Sequence, residues 1–134
     1  MIDRIGVPPI VHRDVGIAVL VITLAAFLVA ALFAVRRRTL PGWSKALFIA
    51  AQVVLMVQAL IGIKLLDQGS GFMQLYIHYV GGLGPLLFYM LMYWFPARDD
   101  LRKTRVAALV TGSAFLFAVM AYTIGGAYAG TPSS

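Results

Sequence analysis

Apolar residues run along this chain in four long blocks, Val15–Val35, Ala46–Leu66, Gln74–Phe95 and Val106–Ala127, with charged and turn-forming residues gathered between them. Each block is close to the roughly 20 residues that a helix needs to cross a bilayer core. Within the blocks, small residues recur at helical spacing. Gly16, Val19, Thr23, Ala26 and Ala30 continue one face below His12, and Ala107, Thr111, Ala114, Ala118, Ala121 and Gly125 line one face of the last block. In lipid such faces pack against other helices, because small side chains let backbones approach. Large residues such as Leu20, Phe27 and Leu28 fall largely elsewhere. The pattern predicts an all-α membrane protein, a single domain over residues 1–134 with transmembrane helices at about 9–35, 46–66, 74–95 and 106–127. Short loops between them imply an up-down-up-down four-helix bundle.

Local signals refine the ends. Pro8 and Pro9 suit a first helical turn, where a missing N–H leaves no bond unmade. Leu40–Ser44 reads as a turn, with Trp43 at the interface and Ser44 as the cap of the second helix. Asp67–Gly71 reads as a second short turn. Pro85, inside the third block, cannot donate to the carbonyl of Gly81, which predicts a kink. Tyr89, Tyr93 and Trp94 are expected to approach the cytoplasmic interface, where aromatic belts sit, with Pro96 expected to end the helix and the polar tail from Gly130 to Ser134 expected to fray.

Composition agrees with the pattern: 61% of residues are apolar and 12% charged, where soluble domains carry about a quarter charged residues. The basic balance (pI about 10.1) is a topology signal. Arg36, Arg37, Arg38 and Lys45 bracket the first connection and Arg98, Arg102, Lys103 and Arg105 fill the third, leaving only Arg4, Arg13 and Lys64 elsewhere. The positive-inside rule makes those two connections cytoplasmic and puts both termini outside. The expected location is the inner (plasma) membrane, with the lipid bilayer rather than nucleic acid as partner. Met1–Asp14 lacks the basic start of a signal peptide, so the first helix is expected to be retained, behind a short translocated tail. The absence of cysteine excludes thiolate metal sites, iron–sulfur clusters and thiol-attached haem.

Two histidines, His12 and His78, head the first and third helices on the same side of the membrane. An imidazole at bilayer depth is a functional hypothesis by default. In an up-down-up-down bundle these helices are diagonal, so two imidazoles face one another across the core and could ligate one b-type haem. His12 precedes Arg36 by 24 residues and His78 precedes Arg98 by 20, a depth mismatch of about 6 Å. Arg13, Gln58 and Lys64 are expected propionate partners or supports for the ligands, and Gly62, Gly81 and Gly82 leave room for a flat group. Interfacial or interhelical hydrogen bonding of the histidines, or a quinone or proton role, remain alternatives. Gln52 and Gln58 are expected to bond across to neighbouring helices. The methionines are core or lipid-facing filler, with Met56 and Met73 as remote choices for an axial ligand.

These residues resemble one half of a haem A synthase. That family's His-Arg pair is matched by His12-Arg13, its Gln-x-x-x-Gly element by Gln58-Ala-Leu-Ile-Gly62, and its second histidine by His78. The likeness spans the first three helices. It implies a bis-histidine haem in a membrane bundle, and half-length chains of this kind can dimerise to restore eight helices. Synthase-active halves resemble Glu-x-x-His-Arg, whereas here Pro9 stands at the acidic position, so the resemblance favours b-type haem binding over methyl oxidation. The leading expectation is a membrane cytochrome for electron transfer or haem handling, with a quinol or a larger membrane redox complex as partner. The alternative is a haem-free accessory subunit of a respiratory or photosynthetic complex. A transporter fits poorly, since the apolar blocks hold no ionisable pathway.

Overall fold

The computed structural model describes residues 6–70, 76–94 and 99–129, excepting the side chains of 69, 70, 76–79, 128 and 129. Arg4, Met73, Gln74, Phe95, Pro96, Arg98 and 130–134, which carried expectations above, lie outside the described residues. Among those described there are four α-helices, α1 (Pro9–Val35), α2 (Ser44–Leu65), α3 (Tyr76–Trp94) and α4 (Asp100–Ala129). Helices α1, α2 and α4 are long and apolar enough to cross a membrane, and α3 is apolar over Val80–Trp94.

The ends of these helices are set by polar groups. Pro8 and Pro9 open α1 as expected, and the amide of Val11 bonds the carbonyl of Pro8 at 3.0 Å. Its far end closes in a Schellman turn, Arg38 N–H to Phe33 O at 2.9 Å and Arg37 N–H to Ala34 O at 3.1 Å. Arg37 takes the left-handed position at φ 51°, a place glycine usually fills. Ser44 does not cap α2: it is the first helical residue, and its hydroxyl donates back to Pro41 O at 2.7 Å. Beyond Leu65 the chain stays helical as a π turn, Leu66–Ser70, instead of breaking at Asp67. There Lys64 pairs with Asp67 at 2.9 Å, and the Gln68 amide grips the Val7 peptide from both sides, at 2.9 and 3.3 Å. Helix α4 starts at Asp100, ahead of the expected Val106, because Asp99 Oδ1 accepts the Arg102 amide at 2.7 Å, an N-cap that offsets the polar first turn. Helix α3 runs on through Pro85, which is fully buried.

Packing follows the small-residue faces. The buried residues of α1 are Gly16, Val19, Thr23, Ala26 and Ala30, and α4 buries Ala107, Thr111, Ala114, Ala118 and Ala121. Many large residues point outward, with Val21, Leu60, Leu109 and Leu116 all more than 60% exposed, although α2 buries Phe48 and Leu55. Small inside and large outside is the arrangement expected where lipid, not water, surrounds the bundle. Leu20 and Phe27 depart from this. Leu20 packs on the core, and Phe27 lies over Gly112, where a Cβ would meet its ring at 2.9 Å. Tyr89 is also no belt residue. It is 0% exposed in the core, while Tyr93 and Trp94 lie at the surface. The Thr23 and Thr111 hydroxyls donate to carbonyls one turn back in their own helices, both at 2.7 Å.

Contacting pairs give the topology. Gly16 meets Tyr122 and Gly112 meets Phe27, so α1 and α4 are antiparallel; Gly81 meets Ala121 and Gly84 meets Phe117, so α3 and α4 are too. Gly62 of α2 lies against His12 and Gln58 against Gly16, so α1 and α2 are antiparallel as well. Broad seams join α4 to α1 and α3 and α1 to α2, whereas the α2–α3 seam is thin. Helices α1 and α3 are thus diagonal in an up-down-up-down bundle.

Candidate functional site

His12 stands in the first turn of α1, half-buried, one turn above Gly16 on the inward stripe. Its ring lies over Gly62 of α2, where a Cβ would sit 3.3 Å from its Cε1. An added Cβ would press the ring back by a few tenths of an ångström. Four residues before Gly62, on the same face, Gln58 reaches across with its amide nitrogen, 3.1 Å from the His12 carbonyl oxygen and 3.4 Å from His12 Nε2. The same amide nitrogen lies 3.3 Å from where a Gly16 Cβ would be, with the Tyr122 ring alongside at 3.4 Å. His12, Gly16, Gln58, Gly62 and Tyr122 therefore form one cluster from three helices.

Within it, the hydrogen-bonding capacity of Gln58 is divided. Its N–H group serves α1, while its carbonyl oxygen is buried with no partner among the described residues. A buried acceptor left unpaired costs on the order of 1–3 kcal/mol, so this oxygen is a place where a water or ligand donor gains free energy. A haem propionate is an acceptor and does not satisfy it. The arrangement suits Gln58 to holding His12 against α2 rather than binding a propionate.

The level of His78 follows from the backbone. Its side chain lies outside the described residues, but its helix is placed by Gly81, which packs on Ala121. Gly16 meets the ring of Tyr122, so the two glycines share a level to within about one helical turn. His12 is four residues beyond Gly16 and His78 three beyond Gly81, both toward the same end. The two backbone levels then agree to within about one turn, roughly 5 Å.

The other expected site residues separate into groups. Arg13 is exposed, its guanidinium 3.4 Å from Asp14, and Lys64 is held by Asp67. Lys64 also stands about 200° round α2 from Gly62, on a different face from the histidine contact. Gly81 is consumed by helix packing: a Cβ there would lie 2.9 Å from Ala121 Cβ and 3.2 Å from Phe117 O. Around Gly82 there is open space. Met56 is 56% exposed and away from the cluster. Gln52 bridges to α3 through the Tyr93 hydroxyl, 3.1 Å from its amide nitrogen. Tyr122 was missed in the sequence; its place beside Ala118 and Ala121 on the small-residue face of α4 was the available signal.

For haem, the donor chemistry at His12 fits: an imidazole on the inner stripe with glycine beneath it. The Gln58 nitrogen faces Nε2, so iron at that atom requires the amide to turn aside while keeping its shorter bond to the His12 carbonyl. Among the described residues no three His, Asp or Glu side chains gather as a non-haem metal site. Comparison with protein-family models, curated proteins and solved structures finds no match to this chain.

Proposed function

We propose that this chain is an integral-membrane b-type haem protein, with His12 and His78 as axial ligands near the outer face and a role in electron transfer or haem handling. The observation that carries the reading is the agreement in level between two histidine-bearing, diagonal helices. Two imidazoles that fill both axial positions favour electron transfer over oxygen chemistry. The protein's part is to hold them: Gly62 admits the His12 ring, Gln58 ties the His12 backbone carbonyl to α2, and the close α3–α4 seam at Gly81 sets the height of His78. In this reading the basic connections face the cytoplasm, both termini face outward, and a redox partner reaches the haem from the outer loops or as a lipid-soluble quinol. Pro9 leaves the site without an acid for methyl oxidation.

The Gln58–His12 contact favours a second reading, a haem-free subunit of a larger membrane complex in which the pair is an interhelical bond. An absorption spectrum of the full chain, purified from haem-replete membranes, separates the two. Sharp reduced α and β bands of low-spin b haem, lost in both His12→Ala and His78→Ala with helix content unchanged, support ligation. A folded but colourless preparation refutes it and leaves the second reading. Retention of the six-coordinate spectrum in either variant refutes the assigned pair.

A further inference from the structure

At the end of the bundle opposite His12, the Leu40–Ser44 turn, the first turns of α2 and α4 and the end of α3 enclose a cleft of about 410 Å³. Leu40, Phe48, Met92 and Val106 make its wall apolar, and Lys45 and Lys103 stand along it as its charged members. Lys45 has no acidic partner among the described residues, and Lys103 is shared with the exposed Asp100 at 2.9 Å. Arg36 to Arg38 on one side, and Arg102 and Arg105 on the other, extend the positive field, with Asp99 and Asp100 the only described acids at this end. The Asp99 carboxylate is engaged with the Arg102 amide. At the His12 end the described charges, Arg13 with Asp14 and Lys64 with Asp67, cancel in pairs.

An apolar wall with cations at its mouth is complementary to a molecule that is anionic at one end and hydrocarbon at the other. Basic pockets between transmembrane helices on the cytoplasmic side bind anionic lipid head groups by this chemistry. We propose that this cleft is a binding site for an anionic glycerophospholipid, its phosphate between Lys45 and Lys103 and the upper part of one acyl chain against Phe48, Met92 and Val106. The inference rests on the membrane placement proposed above and is independent of haem.

Trp43 reports on the cleft, because its neighbours Gly42 and Ser44 line it and its own side chain is exposed. In a Trp94→Phe background Trp43 is the only tryptophan, and insertion into nanodiscs tests the membrane placement separately. Quenching of Trp43 is measured with acyl-brominated phosphatidylglycerol and with brominated phosphatidylcholine at matched low fractions. One surface lysine near an anionic head group contributes roughly five-fold in affinity; Asp100 offsets part of the second. The expected preference for phosphatidylglycerol is about ten-fold, lost in K45Q/K103Q and kept in K45R/K103R. Removing the same charge from the same end but off the cleft, in R36Q/R38Q, leaves most of it. Equal quenching by the two lipids overturns the proposal, as does an equal loss in R36Q/R38Q, which would assign the preference to diffuse charge. Inorganic phosphate as competitor is expected to leave the quenching in place; full displacement by it would make the occupant a free anion and overturn the lipid.

Discussion

Replacing Gly81 by alanine adds one methyl group at the tightest point of the α3–α4 seam. The new carbon would lie 2.9 Å from Ala121 Cβ, 3.2 Å from Phe117 O and 3.3 Å from Ala121 Cα. All three are fixed by the position of α4 itself and cannot be relieved by a rotamer change. Apolar carbon contacts relax to about 3.5–4.0 Å, so α3 must withdraw by roughly 0.6–1 Å. Overpacking of this kind costs about 1–3 kcal/mol. Gly82, the next residue, has nothing within 4 Å of its added carbon, so Gly82→Ala is expected to fall within about 0.5 kcal/mol of the parent. Alanine's helix-propensity advantage of up to about 1 kcal/mol largely cancels in both variants, since helices separated in a membrane or micelle keep their backbone bonds. Equilibrium unfolding in mild detergent with added denaturing surfactant, followed by near-ultraviolet dichroism, should place Gly81→Ala at least about 1 kcal/mol below Gly82→Ala. Equal stabilities, or a larger loss in Gly82→Ala, would refute the register of the seam and with it the inferred level of His78.

Further outcomes follow from the same packing. Tyr89→Phe removes a buried hydroxyl that has no partner among the described residues, so the variant should match or exceed parent stability, by up to about 1 kcal/mol; a loss of 2 kcal/mol in the same assay would mean that the hydroxyl is bonded. Gln58→Leu removes the α2–α1 bond, a loss of about 0.6–1.5 kcal/mol, together with an Oε1 unpaired among the described residues, a gain on the order of 1–3 kcal/mol, so stability should stay within about 1 kcal/mol of the parent or rise; a loss of about 2 kcal/mol would mean that the oxygen is bonded. If haem is bound, the substitution should also perturb the imidazole environment in the low-spin spectrum, while an unaltered spectrum would show that Gln58 does not position His12. Gln52→Leu deletes the bridge to Tyr93 and should loosen the thin α2–α3 seam, raising amide exchange in the first half of α2 and leaving α4 unchanged.

Much of the bundle was legible because lipid-surrounded helices bury what is small. The stripe Gly16, Val19, Thr23, Ala26, Ala30 could be written down from spacing alone, and it is the buried face of α1. The ends were less legible. Apolarity placed the start of α4 at Val106, but a helix end is chosen by whatever satisfies its first amides, and Asp99 does so earlier in the chain. The same blindness hid the π turn, which Gln68 and Lys64 hold through contacts that no periodicity encodes. For Tyr89 the spacing gives the right face, running from His78 through Gly81 and Pro85, all buried where described; only its assignment to the interface fails, because an aromatic residue near a helix end is ordinarily interfacial. At the site, Gln58 and Gly62 were visible as a four-residue spacing. Their contact with His12, and the place of Tyr122, depend on the register between helices, which one strand of sequence does not contain.

The distribution of seams has a consequence for how the molecule is made. α4 emerges after the other three helices yet forms the broad contacts to both α1 and α3, while the direct α2–α3 seam is thin. Between the end of α3 at Trp94 and the end of α4 at Ala129, a ribosome working at about 5–20 residues per second takes roughly 2–7 seconds. During that interval α1 and α2 can pair as a hairpin, but the glycine faces of α3 remain open to lipid and to other chains. The bundle is therefore stitched shut by its fourth helix, and any cofactor spanning α1 and α3 has those seconds in which to enter from the side.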